Sequence, residues 1–219
     1  MIDASRGLGL FSLTDQVVVV TGATGGIGVE VARGLSAAGA RVGLNGRRAA
    51  PVEELAGQIS GSFALPFDIT DEAATAAALA SVVERYGRLD TLVCIAAARD
   101  RRPLAEIEAD DYRTVLEANL VAPFHLARAV APHMISANRG RIIMMTSLAG
   151  DFAMPGDAAY PSSKAGLAGL VRSLAVELGM SGINVNGIAP GPVATPVNAG
   201  LVKDPRWQAM IRRTVPLQR

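Results

Sequence analysis

Short runs of β-branched and apolar residues alternate with longer alanine-rich stretches of helical period from Gln16 onward. The runs predict strands over Gln16–Thr21, Arg41–Asn45, Ser62–Pro66, Thr91–Ala96, Arg141–Thr146 and Asn184–Ile188. The stretches between them predict helices over Gly26–Ala38, Pro51–Ile59, Asp71–Tyr86, Asp110–Ala137 and Ala158–Leu178. Strand followed by helix, repeated along a chain, is the order that sets parallel strands side by side with helices as crossovers. Several strands are apolar almost throughout, as in Val17–Val20 and Ile142–Met145. Such runs suit strands covered by helices on both faces and disfavour a sheet with one wet face. The expected fold class is α/β, a doubly wound parallel sheet.

Composition narrows this picture without changing it. With 219 residues, half of them apolar, the chain is long enough to bury one sizeable core, and we read residues 1–219 as a single domain. No repeat or linker-like tract divides it. The 21 basic and 20 acidic side chains are spread along the sequence, so no concentrated field favours nucleic acid or an anionic membrane as partner. The lone cysteine, Cys94, excludes an internal disulfide and a cysteine-based metal cluster, and suits a reducing compartment. No metal site is expected. The opening residues lack a signal-peptide apolar stretch, and nowhere do about 20 apolar residues run together as a membrane span requires. The expectation is a soluble, cytoplasmic protein. Only two of the basic residues, Lys164 and Lys203, are lysines, which makes each well-placed lysine informative.

The first strand leads into Thr21-Gly22-Ala23-Thr24-Gly25-Gly26-Ile27-Gly28, a glycine-rich turn that opens an amphipathic helix. Glycines there allow a tight turn (Gly22), close approach of backbone N–H groups to phosphate (Gly26) and close packing of helix on sheet (Gly28), while the helix N-terminus favours an anion. A tight β–α connection without a ligand would use the same residues. The spacing T-G-x-x-x-G-x-G resembles the cofactor loop of short-chain dehydrogenases/reductases, a family of single-domain Rossmann-type oxidoreductases.

Tyr160 and Lys164 stand at i and i+4, one turn apart on one helix face. A free tyrosine has a pKa of about 10, and a fixed cation nearby favours the phenolate, which matches the group to proton transfer at working pH. Ser147 ends the preceding strand 13 residues before Tyr160, an offset that resembles the family's. The resemblance implies a catalytic tetrad of Asn119, Ser147, Tyr160 and Lys164. Ser147 would hold the substrate oxygen, Tyr160 would move the proton, Lys164 would assist Tyr160 and grip the nicotinamide ribose, and the Asn119 amide and backbone would anchor a relay water. On their own, Ser147 reads as a turn former and Asn119 as a structural helix residue.

The same resemblance assigns a cofactor surface to Thr21, Gly22, Thr24, Gly25, Gly26, Ile27, Gly28, Ile69, Ala96, Tyr160, Lys164 and the segment Pro190, Gly191, Val193 and Thr195. Asp68 falls where the family places an acid against the adenine, and it equally suits a cap on the helix near Asp71. After the second strand comes Leu44-Asn45-Gly46-Arg47-Arg48, with glycine at the usual acidic position and arginines following. Arg47, with Arg48, suits a ribose 2′-phosphate, favouring NADP(H) over NAD(H).

Two departures stand out. Cys94-Ile95-Ala96-Ala97 replaces the family's Asn-Asn-Ala-Gly, which exchanges polar bracing for apolar packing. Relatives usually continue through one more helix and strand, roughly 30 residues, so the expected sheet lacks that last pair. The implied function is reversible hydride transfer between NADP and a secondary alcohol or ketone. Leu10–Leu13 and Leu44–Arg47 resemble gluconate 5-dehydrogenase-like members acting on sugar acids or polyols, and similar segments occur in 3-oxoacyl-carrier-protein reductases acting on thioesters. The loop Arg99–Pro103 and the region after Pro196 are expected to form the substrate pocket. The family assembles as homodimers or homotetramers, here through the helices Asp110–Ala137 and Ala158–Leu178. The alternative is a cofactor-binding sensor or scaffold of the same fold without turnover.

Overall fold

In a computed structural model, which describes residues 11–152 and 155–218, all six expected strands form one parallel sheet. They are β1 (Val17–Thr21), β2 (Arg41–Leu44), β3 (Ser62–Ala64), β4 (Thr91–Cys94), β5 (Gly140–Met145) and β6 (Ile183–Ile188). Their order is β3-β2-β1-β4-β5-β6, and no seventh strand is present among the described residues. Leu10, the first residue of the segment compared above with sugar-acid dehydrogenases, lies outside the described residues.

The valine run reads as continuous because both faces of β1 are covered. Val17 and Val19 point into one core with Leu92, Ile142 and Met144; Val18 and Val20 point into the other with Val42 and Leu44. Helices α1 (Gly26–Ala37) and α2 (Ala49–Gln58) close the second core. Helix α3 (Glu72–Tyr86) lies over the first, and its ends are set locally. The Asp71 carboxylate accepts from the Ala74 N–H at 2.9 Å, and Gly87 turns left-handed at φ +70°. The helix cap is therefore Asp71 and not Asp68. Each valine of β1 that loses all contact with water contributes about 1.5–3 kcal/mol.

The long helix expected over Asp110–Ala137 is broken. Helix α4 (Ala109–Leu116) passes through a π turn at Glu117–Val121 before α5 (Ala122–Ser136) begins. Pro123 supplies the physical reason: without an N–H it cannot make the α-helical bond to the carbonyl of Asn119 four residues back. The expected active-site helix forms as α6 (Ala159–Gly179), packed on the first core through Leu167 and Leu178. Beyond Pro196 the chain makes α7 (Ala199–Val202) and α8 (Pro205–Thr214), which hydrophobic periodicity did not predict. Asp204 caps α8 by accepting from the Arg206 N–H at 2.8 Å, and Pro205 occupies its first turn. No described helix is long and apolar enough to cross a membrane.

The chain leaves β1 toward β2 on one side, while β4 flanks β1 on the other. That reversal of direction opens a crevice at the carboxyl ends of β1 and β4, where open α/β sheets bind ligands.

Candidate active site

The turn after β1 is shaped by missing side chains. Gly22 adopts φ +66°, and a Cβ there would stand 2.7 Å from the Ala96 backbone. A Cβ on Gly28 would run into the Gly22 carbonyl oxygen and lie 2.9 Å from the Ala23 Cα. Turn, β4 loop and first turn of α1 can therefore meet closely. They border a cleft of about 1070 Å³ lined by Gly22, Thr24, Gly25, Gly26, Ile27, Gly28, Arg47, Asp68, Ile69, Ala96 and Thr195. The N-terminus of α1 opens on it, with Gly25 as the capping residue. An elongated cleft of this size, with unencumbered backbone N–H groups at a helix start, fits a dinucleotide diphosphate.

Thr21 stands behind this cleft. It is fully buried, and its hydroxyl accepts from the N–H groups of Ile95 at 3.2 Å and Ala96 at 3.4 Å. Thr21 thus braces the β4 loop where the family's asparagines are missing. Cys94 adds packing: burial pushes its thiol up to about 12, so it is a neutral apolar group there.

Beside the cleft lies a recess of about 450 Å³ lined by Thr24, Arg47, Arg48 and Pro51. Arg47 faces both spaces, and Arg48 caps α2, so an anion in the recess meets guanidinium groups and a helix N-terminus together. Asp68, across the cleft, accepts from the Thr70 N–H at 3.0 Å and hydroxyl at 2.8 Å. The backbone bond holds its carboxyl below the ordinary range against the opposing effect of burial, and Arg47 adds to the lowering.

A second pocket of about 310 Å³ adjoins the cleft, sharing Ile27 and Thr195 with it. Ser147 and Tyr160 face this pocket, as do Arg99, Arg101, Phe152, Asp157, Trp207 and Met210. Pro190, Gly191 and Val193 line it as well, so that segment borders the smaller pocket, and of its residues Thr195 alone reaches both spaces. Ser147 follows β5 and accepts from the Ala149 N–H at 3.1 Å, so it forms the turn there. That bond uses a lone pair and leaves the hydroxyl proton for donation into the pocket.

Lys164 and Asn119 lie behind Tyr160. Lys164 is only 2 % exposed, donates to the Met145 carbonyl at 2.7 Å and places its Nζ 5.7 Å from the Tyr160 ring centroid. Burial pushes its ammonium down to about 8, and the neutral Cys94 thiol beside it offers no counter-ion in that range. The Asn119 carboxamide is fully committed: Oδ1 accepts from the Ala98 N–H at 2.7 Å, and Nδ2 donates to the Ala98 carbonyl at 2.8 Å and to Ser163 Oγ at 2.9 Å. The expectation that this amide holds a relay water is revised. The amide staples the β4 loop to α6, and Pro123 denies the Asn119 carbonyl its α-helical donor.

Titration of Lys164 has a stability consequence. Below about pH 8 folded and unfolded chains both carry the charge and burial destabilises the fold; between about 8 and a free lysine's 10.5 the folded chain releases its proton first. Relative to Lys164→Met, the wild-type protein should gain about 3 kcal/mol across that window. Urea unfolding of both proteins from pH 7.5 to pH 10.5, the upper limit being the free-lysine value, measures it, and a pH-independent difference would contradict the assignment.

The three arginines in the β4 loop, Arg99, Arg101 and Arg102, have distinct surroundings. Arg99 pairs with Asp157, and its Nε donates to Oδ1 at 3.2 Å. Arg102 pairs with Asp100 and with Asp111, the latter at 2.6 Å, and does not face the pocket. Arg101 faces the pocket with no acidic partner among the described residues. The 99/157 pair joins residues 58 apart in sequence, and only the identity of the loop arginines hinted at it. The region after Pro196 lines the pocket as expected, but its residues there, Trp207 and Met210, were not singled out, although Asp204-Pro205 is a helix-start signal that would have placed them on a helix.

Comparison with known proteins agrees with this geometry. The family model described as short chain dehydrogenase matches residues 16–206. Gluconate 5-dehydrogenase of Gluconobacter oxydans is 35% identical over 215 residues, covering 96% of this chain and 84% of that protein. Oxidoreductase UcpA of Escherichia coli is 37% identical over 196 residues, covering 87% of this chain and 74% of that protein. The crystal structure of a gluconate 5-dehydrogenase from Burkholderia cenocepacia, in complex with NADP and tartrate, superposes with a TM-score of 0.92 at 32% identity, covering 97% of this chain and 85% of that one. With a matching family model across most of its length, the glycine-rich cleft and the Ser147, Tyr160 pocket beside it, this chain belongs to the short-chain dehydrogenase/reductase family.

Proposed function

We propose that the protein is an NADP(H)-dependent oxidoreductase that interconverts a secondary alcohol and a ketone, with a hydroxy or keto acid as substrate class. The observation that carries this reading is the junction of two spaces: a dinucleotide-sized cleft meets, at Ile27 and Thr195, a smaller pocket into which Ser147 and Tyr160 face. When bound, the nicotinamide cofactor supplies or accepts the hydride. The turn Gly22–Gly28 and the N-terminus of α1 would hold its diphosphate, Asp68 and Ile69 its adenine side, and Arg47 with Arg48 the 2′-phosphate that distinguishes NADP. Lys164 would hydrogen-bond the nicotinamide ribose.

The chain's own residues handle the proton. Ser147 donates its hydroxyl hydrogen to the substrate oxygen and fixes that oxygen beside Tyr160. In the reductive direction Tyr160 gives its phenolic proton to the same oxygen as the carbon becomes an alcohol; in the oxidative direction it takes that proton back. Lys164, buried on the next turn, supplies positive charge and a route toward the Asn119 carbonyl for reprotonation. Trp207 and Met210 of α8 keep water from the reacting centre.

Arg101 supports an acidic substrate. Burial and the neighbouring Arg99 lower its pKa from the usual guanidinium value, a sign of a cation that an anion would relieve. The test is NADPH and NADH oxidation against a panel of neutral ketones and keto sugar acids. NADPH and the acids should be preferred, and Arg101→Met should raise KM for a keto acid by about 10- to 100-fold, the loss of one charge-assisted hydrogen bond. KM for a neutral ketone should stay unchanged. Equal losses on both substrates would refute the carboxylate assignment, and tight NADPH binding without turnover on any substrate would favour a sensor of the same fold.

A further inference from the structure

We propose that Arg99, locked in place by Asp157, is a positioning residue for Tyr160: its guanidinium clamps one face of the phenol ring and fixes the direction in which the hydroxyl enters the pocket. The proposal rests on the assignment of Tyr160 as acid/base. The guanidinium carbon lies 4.4 Å from the Tyr160 ring centroid, closer than the Lys164 Nζ at 5.7 Å. Both distances fall within the reach of cation–π attraction, about 6 Å.

The contact is built into the fold. Asp157 is only 4 % exposed, and a carboxylate so buried is strongly unfavourable without its partner. It engages Arg99 with both oxygens, through Nε and Nη2, a two-pronged grip that sets the plane of the guanidinium. The backbone closes a ring around it. Arg99 follows Ala98, whose N–H and carbonyl are held by Asn119; Asn119 also donates to Ser163 Oγ, and Ser163 donates to the Tyr160 carbonyl at 2.7 Å. The cation on the phenol face is thus tied to the backbone of the residue that it covers.

A guanidinium stacked on an aromatic face restrains the ring by packing and by cation–π attraction together. The charged groups facing Tyr160 are Arg99 and Arg101 from the β4 loop, Asp157 from the turn before α6, and Lys164 on α6 itself. Arg99 is the nearer of the two cations set against the ring, and the grip of Asp157 on its guanidinium holds the phenol in one orientation beside Ser147.

The test is steady-state turnover, with NADPH affinity measured beside it by fluorescence titration. The double variant Arg99→Met, Asp157→Asn leaves no buried charge unpaired; its kcat should fall about tenfold, the order of one cation–π contact, with KM and NADPH affinity little changed. Wild-type kcat in the double variant overturns the proposal. So does a fall confined to the single variant Arg99→Met, which would trace to the bared Asp157 carboxylate, and so does a loss of KM or NADPH affinity in step with kcat, which would mean that the whole pocket had moved. Wild-type turnover in Tyr160→Phe would instead defeat the acid/base assignment, a result separable from the double variant.

Discussion

Tyr160→Phe should lower kcat by about 10²- to 10⁴-fold, the range over which a positioned general acid/base contributes to catalysis. The substitution removes one oxygen and keeps the ring, so the stacking of Arg99 at 4.4 Å and the packing of α6 remain. Ser147 still lines the pocket and can still orient the substrate oxygen. NADPH should bind nearly as well as to the wild type, because the glycine turn and Arg47 lie in the neighbouring cleft. Fluorescence titration of NADPH together with steady-state rates separates these effects. A Phe variant with full rate and normal binding would mean that the proton comes from another group.

Gly28→Ala should act on fold and cofactor together. The added methyl meets the carbonyl of Gly22 and the Cα of Ala23, both backbone, so no side chain can swing away and α1 must withdraw from the turn. Overpacking of this kind costs about 3 kcal/mol at the upper end of its usual range, which for a chain of this size lowers Tm by about 6–12 °C. The first N–H groups of α1 move with the helix. Losing two charge-assisted bonds to a diphosphate should weaken NADPH by about 100-fold or more. Gly57→Ala is the matched control: it lies in α2 with nothing within 4 Å of the new methyl, and should be neutral or stabilising by about 0.4–1 kcal/mol. Scanning calorimetry and NADPH titration of the pair check both statements. Equal melting temperatures would show that the turn yields more easily than its geometry implies.

The strands and their order of appearance were legible because burial on both faces leaves a continuous apolar run, and a run such as Val17–Val20 has few other uses. The nearness of Tyr160 to Lys164 was legible because they are neighbours on one helix, and that of Ser147 because it follows the strand before it; Asn119 was reached only through the family resemblance. The π turn was hidden inside unbroken helical periodicity over Asp110–Ala137, where Pro123 and Pro132 were the local signs of a misfit and the pattern did not say which of them α5 would accommodate. The roles of Thr21 and Asn119 as braces depend on contacts with the β4 loop, which local pattern cannot reveal. The Arg99 and Asp157 pair joins two loops, and loops carry no period from which a partner can be inferred. Helix α8 is short, and its apolar stripe of Trp207, Met210 and Ile211 spans little more than one turn, too few residues to establish a period without the start signal at Asp204-Pro205.

The π turn at Glu117–Val121 makes this site sensitive to chain length in a way that the core is not. Such a turn holds more backbone per revolution than an α-helix does, and deletion of one residue there would let α4 and α5 join as a single regular helix. The helix would be more regular, with Pro123 still short of its N–H bond. Residues on one side of the deletion would rotate by about 100° relative to the other, and the Asn119 carboxamide would leave Ala98. Through Ala98 the β4 loop would lose its anchor, and with it the placement of Arg99 over Tyr160. A sequence one residue shorter in this segment could thus fold with a straighter helix and a dispersed pocket.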